Sequence, residues 1–96
     1  MTAQLGPESR PRLAAFARLQ HDRPRDRWVV QAPERLFVLD EPGLAVLQRC
    51  DGERTLTAIA QELATEFEAD AAEVLPDIRE LLQELADKGV IVDGGG

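Results

Sequence analysis

Chemistry-bearing side chains are scarce in this 96-residue chain: it has no tyrosine, one histidine (His21) and one cysteine (Cys50). A single cysteine excludes an internal disulfide and fits a reducing compartment. One histidine and one cysteine cannot assemble a Cys/His metal cluster. A Cys–His nucleophile pair is formally possible. However, Cys50 falls on the apolar face of a short helical pattern, where an inert buried thiol is the ordinary case. Gly43, Gly52 and Gly89 stand singly at turn or helix-end positions, so there is no glycine-rich phosphate loop. No stretch approaches 18 apolar residues, and the N-terminus lacks a basic-then-apolar signal pattern. The expectation is a cytoplasmic protein without a membrane partner. Glu80, Glu84 and Asp87 lie on a polar helical face as a solvated stripe, not a catalytic dyad. The chain is therefore expected not to be an enzyme and to carry no metal or cofactor.

What is present is an uneven charge. The net charge is −7. Up to Arg35 there are seven arginines against four acidic residues; beyond it there are four basic residues against fourteen acidic ones. An acidic second half argues against nucleic acid as the main partner, because phosphate binding relies on Lys and Arg.

The length allows one domain. Residues 1–9, with Gly6 and Pro7 and no periodicity, read as a flexible tail; residues 10–93 as the domain; residues 94–96 as a disordered glycine tail. Residues 14–21 alternate weakly and predict a strand. Asp22-Arg23-Pro24-Arg25-Asp26 predicts a turn, and Arg27-Trp28-Val29-Val30-Gln31 a second strand. The stretch Arg35-Leu36-Phe37-Val38-Leu39 is the organising element. It is too short for a helix, is fenced by Pro33 and by Asp40-Glu41-Pro42-Gly43, and is apolar on both faces. Three short strands with short connections predict an antiparallel meander.

After Asp40 the period changes. Asp40 or Glu41 can cap a first helix, with Pro42 where a missing N–H costs least. Leu44, Val46, Leu47 and Cys50 form its apolar face, and Asp51-Gly52 closes it. Thr55 or Thr57 caps a second helix whose stripe is Leu56, Ile59, Ala60, Leu63, Ala64 and Phe67. Asp70-Ala71-Ala72-Glu73 has the form of a capping box. It opens a third helix with Val74, Leu75, Ile78, Leu81, Leu82 and Leu85 on one face, ended by Lys88-Gly89. Pro76 predicts a kink there, or a helix that begins near Leu75. Val90-Ile91-Val92 can add a strand or pack on the core. The predicted class is α+β: a three-stranded antiparallel meander followed by three helices, winged-helix-like.

Winged helices often read DNA through a helix such as the third one. Here that helix carries Asp70, Glu73, Asp77, Glu80, Glu84 and Asp87 against Arg79 and Lys88, which repels phosphate. An acidic winged-helix module for protein interaction or transcriptional regulation is the alternative reading. The leading one is strand addition. Residues 35–39 can expose an outer edge beside the third helix, where an extended peptide gains backbone hydrogen bonds and apolar contacts. The candidate peptide-binding residues are Arg35, Leu36, Phe37, Val38 and Leu39 with Val74, Ile78, Leu81, Leu82 and Leu85; the helical ones serve equally as core. Opening of the first strands and their exchange between two copies would give a homodimer.

From Arg10 to Val92 the chain resembles the PqqD family of pyrroloquinoline quinone biosynthesis. The resemblance rests on ordered pieces: Pro11-Arg12-Leu13, Arg18-Leu19-Gln20-His21-Asp22, Arg27-Trp28-Val29-Val30 and Ala32-Pro33-Glu34-Arg35. It continues through Cys50-Asp51-Gly52-Glu53-Arg54-Thr55, Asp77-Ile78 and the run from Leu82 to Val90. Two places depart from the pattern: Asp40-Glu41-Pro42-Gly43, where Asn-Glu-Thr-Ala is usual, and Pro76, which affects the groove shape. The resemblance implies a peptide chaperone that binds the precursor peptide PqqA and presents it to PqqE, a radical S-adenosylmethionine enzyme. It also implies that the peptide is held as an added strand between the third strand and the third helix.

Overall fold

Pro33 and Glu34 are the only residues between Arg27–Ala32 (β3) and Arg35–Leu39 (β4). Proline presets its own φ near −65°, and Glu34 takes φ 62°, the combination of a type II turn. The hairpin so closed pairs Ala32 with Arg35, Val30 with Phe37 and Trp28 with Leu39. Arg18–Asp22 (β2) pairs antiparallel on the other side of β3, so the sheet order is β2-β3-β4 and β4 is an edge. The computed structural model describes residues 4–94.

Three helices follow, Glu41–Gln48 (α1), Leu56–Glu66 (α2) and Ala71–Asp87 (α3). Their caps are those the sequence offers. Asp40 accepts from the Gly43 amide at 2.8 Å, Thr55 from Ala58 at 3.1 Å, and Asp70 from Ala72 at 2.9 Å. Each satisfies an amide that the first helical turn leaves unpaired. The start of α3 at Ala71 corrects the option of a start near Leu75: Pro76 lies inside the helix, exposed to solvent. α3 ends in a Schellman motif. Gly89, at φ 77°, donates to the Ala86 carbonyl and Val90 donates to Leu85, both at 2.9 Å. That reversal drives Val90 into the core, where it is fully buried.

Two segments differ from expectation. Residues 14–17 form a turn, with the Ala17 amide on the Ala14 carbonyl, and β2 starts only at Arg18. The strand that precedes it is Pro11–Leu13 (β1), which pairs with Ile91–Asp93 (β5) as a separate two-stranded sheet. Periodicity could not show a three-residue strand whose partner is 80 positions away.

The predicted tail is also corrected over its described part. Leu5 is buried with the core. Its amide donates to Gln83 Oε1 at 2.8 Å, and its carbonyl accepts from Arg79 Nε at 2.8 Å. The Ser9 and Pro7 carbonyls accept from the amides of Leu56 and Thr57, the first two of α2. A helix start buried against other chain needs such acceptors, and this segment supplies them. Gly94 donates to the Arg10 carbonyl at 2.7 Å; the rest of the expected glycine tail and residues 1–3 lie outside the described residues.

One core unites the parts. Val30 and Ala32 from the sheet meet Leu56, Ile59 and Leu63 of α2 and Ile78, Leu82 and Leu85 of α3, with Ile91 of β5. Among the described residues no helix is long and apolar enough to cross a membrane.

Candidate functional site

The antiparallel register decides what β4 shows to each side. Val30 and Phe37 face the helices, and Leu39 lies on the same side of β4, so Phe37 and Leu39 are half-buried against the core. Leu36 and Val38 point the other way and are 52% and 56% exposed. The doubly apolar strand is therefore covered on one face only. Arg35, at the hairpin end, is exposed.

The backbone of β4 is equally lopsided. In a two-residue hairpin the closing pair, here Ala32–Arg35, exchanges hydrogen bonds, and bonded and non-bonded pairs then alternate. Counting from that pair puts the N–H and C=O groups of Leu36 and Val38 on the free edge, away from β3. Among the described residues no turn, loop or side-chain hydrogen bond reaches residues 35–39. Edge strands are ordinarily blunted by charge or proline. The opposite edge, β2, carries Arg18, Gln20, His21 and Asp22; β4 carries no charge between Arg35 and Asp40.

The flank of α3 that faces β4 is identified by Lys88, whose Nζ sits 5.4 Å from the centre of the Phe37 ring while bonding Glu84 Oε1 at 2.9 Å. Leu81 and Val74 lie seven and fourteen residues earlier, in the same row along the helix, because seven residues bring an α-helix back to within about 20°. Both are half-buried. Val74, Leu81 and Lys88 therefore share the flank of α3 on which Lys88 meets Phe37. Ile78, Leu82 and Leu85, which the sequence groups with them, are 5%, 0% and 3% exposed and belong to the core. Lys88 was legible in sequence only as a helix-end cation; its heptad spacing from Leu81 and Val74 was the available signal.

A hollow of about 730 Å3 lies elsewhere, between Pro7 and residues such as Arg79 and Gln83. At 100° per residue Arg79 is about 200° from Leu81, on the other flank of α3. It is a wide, shallow stretch of helix surface with Glu80 and Asp87 on its rim, next to the docked N-terminal segment.

The two reactive side chains are separately engaged. His21 Nε2 lies 3.1 Å from Asp26 Oδ1, and its ring is 5.1 Å from that of Trp28. Cys50 Sγ donates to the Val46 carbonyl at 3.3 Å. Burial, with a smaller contribution from the Asp51 charge, pushes its pKa up to about 12, so the thiol stays protonated at neutral pH and is a poor nucleophile. The unfolded thiol ionises first, so this group makes the fold less stable as pH rises from about 9 toward 12. Among the described residues no group of three or more His, Cys, Asp or Glu is placed to hold a metal.

Residues 27–91 match the family model for coenzyme PQQ synthesis protein D (PqqD). A Xanthomonas oryzae pv. oryzae protein called PqqA binding protein is 55% identical over 84 residues, covering 88% of this chain and 91% of that one. A Rhodopseudomonas palustris protein of the same description is 46% identical over 85 residues, covering 88% and 83%. The solution structure of the PqqD truncation of Methylobacterium extorquens PqqCD superposes with a TM-score of 0.80 at 41% identity, covering 95% and 96%. It is described as a functional, stand-alone recognition element for ribosomally synthesised, post-translationally modified peptides. The crystal structure of PqqD from Xanthomonas campestris gives 0.55 at 51% identity, covering 88% and 93%.

Proposed function

The chain belongs to the PqqD family, and from that premise we propose that it is a non-catalytic peptide adaptor of pyrroloquinoline quinone biosynthesis, binding the precursor peptide PqqA as an added strand on β4. The observation that carries this reading is the contrast between the two edges of one sheet: β2 is guarded by polar and charged side chains, and β4 is left open beside an apolar helix flank. The free groups of Leu36 and Val38 offer two donors and two acceptors. Each bond contributes roughly 0.5–1.5 kcal/mol net, and apolar contact with Phe37, Val74 and Leu81 adds to it. Ordering a flexible peptide offsets much of that gain, which suits a carrier that must let go. The peptide so held would be presented to the radical S-adenosylmethionine enzyme PqqE.

Amide chemical shifts of the 15N-labelled protein, titrated with the PqqA precursor peptide, test the docking mode. The largest changes are expected at residues 36–38 and along Val74, Leu81 and Lys88. Changes confined to β2, or to the Arg79 flank of α3, would refute it.

A second assembly is favoured by one comparison. The Xanthomonas campestris crystal structure is closer in sequence than the Methylobacterium extorquens solution structure but superposes less well. We infer that the hairpin can swing off the helices and exchange between two copies, because a single residue, Asp40, joins β4 to α1. Light scattering should then show dimer growing with concentration; monomer throughout would reject exchange.

A further inference from the structure

The outer face of the β2-β3-β4 sheet is ordered in columns. The register sets Arg18, Gln31 and Leu36 in one row and Gln20, Val29 and Val38 in the next. The β2 column is therefore Arg18 and Gln20, with Asp22 beyond them. In the central column Val29 is 4% exposed. Exposed aliphatic side chains on these rows are confined to the β4 column, at Leu36 and Val38. A partner protein lying across the whole face would meet mostly polar groups. A single strand laid along the free edge would meet only the apolar column, because directly opposed residues on adjacent strands bring their Cβ atoms to about 4.5–5.5 Å on the same face. The same two residues present the free backbone groups, so the side-chain column and the open ladder coincide.

We propose that the segment recognised by this protein is apolar on both faces of the bound strand. Residues directed toward α3 meet Phe37, Val74 and Leu81; those directed away pair with Leu36 and Val38. The recognised sequence is then an unbroken apolar run of about four residues, the length of ladder that two double-bonding positions define, and not an alternating apolar–polar segment. Leu36 and Val38 become specificity-determining residues. This inference rests on the strand-addition reading.

Fluorescence anisotropy with labelled PqqA precursor peptide tests it on three proteins: the native chain, the double variant Leu36→Thr/Val38→Thr, and the ladder-blocking Val38→Pro. Threonine keeps the strand preference and removes apolar surface. The double variant is expected to bind about tenfold more weakly with an unchanged melting temperature. If it binds as well as the native chain while Val38→Pro does not bind, the outer column plays no part in recognition and the inference is overturned, strand addition surviving. If both variants bind normally, strand addition fails as well. If the double variant loses only self-association seen in the native chain, the column belongs to a second copy and the inference is again overturned.

Discussion

Val38→Pro is expected to remove peptide binding and to leave the fold intact. The N–H of Val38 points to the free edge, so proline deletes no bond to β3. Its fixed φ near −65° is tolerated in an edge strand, and Phe37 before it is already extended, as a residue preceding proline must be. The incoming strand loses one donor, which alone is worth roughly 0.5–1.5 kcal/mol. It also meets the ring carbons where a carbonyl would have sat. That displaces the neighbouring bond at Leu36 and pulls the peptide away from Phe37 and Leu81. The expected loss is 100-fold or more in affinity, about 2.7 kcal/mol, against a stability change below about 1 kcal/mol. Anisotropy gives the first and urea unfolding followed by Trp28 fluorescence the second. A folded variant of normal affinity would exclude β4 as the docking strand.

What the sequence disclosed follows the range of the interactions involved. The β3–β4 hairpin was legible because its turn residues, Pro33 and Glu34, and its apolar run are adjacent in the chain. α2 and α3 were legible because their stripes repeat over several turns with a cap at the start. The β1–β5 pairing was not, since Pro11 to Leu13 takes its strand conformation from Ile91 to Asp93 and from nothing local. The docking of Leu5 was hidden for the same reason: its fold contacts are Arg79 and Gln83, and a nine-residue segment with glycine and proline looks like a tail until α3 is in place. The elements proposed for the site were legible to different degrees. Arg35 to Leu39 reads as a strand from its fences, but two apolar faces fit a covered strand as well as an open edge, and only the sheet order decides. A 17-residue amphipathic helix has one apolar stripe, and sequence cannot divide it into the part that faces the core and the part that borders the cleft. Ile78, Leu82 and Leu85 therefore read as one set with Val74 and Leu81, although in the folded chain they are buried and the other two are half-buried.

That division gives the other large effect, a crossover between neighbours in sequence. Leu82 is fully buried between α3, α2 and the sheet. Truncation to alanine removes its transfer energy and leaves a cavity, at a cost of about 2–5 kcal/mol. Domains of this size are stable by only about 5–15 kcal/mol in all, so Leu82→Ala should shift urea unfolding to markedly lower concentration and leave part of the chain unfolded near its melting range. The folded fraction keeps its cleft wall and should bind peptide nearly as before. Leu81 is half-buried, on the row that ends in Lys88 over Phe37. Leu81→Ala gives up less packing in the free protein, about 1 kcal/mol, because part of its surface is already in water. It removes the side chain that the peptide would cover, and affinity should fall by about tenfold. Equilibrium unfolding and anisotropy on the same two variants separate the effects. If Leu81→Ala binds normally, or if Leu82→Ala weakens binding by more than its unfolded fraction explains, the cleft is not bounded by the Val74–Leu81–Lys88 row, and the peptide must approach α3 along a different line.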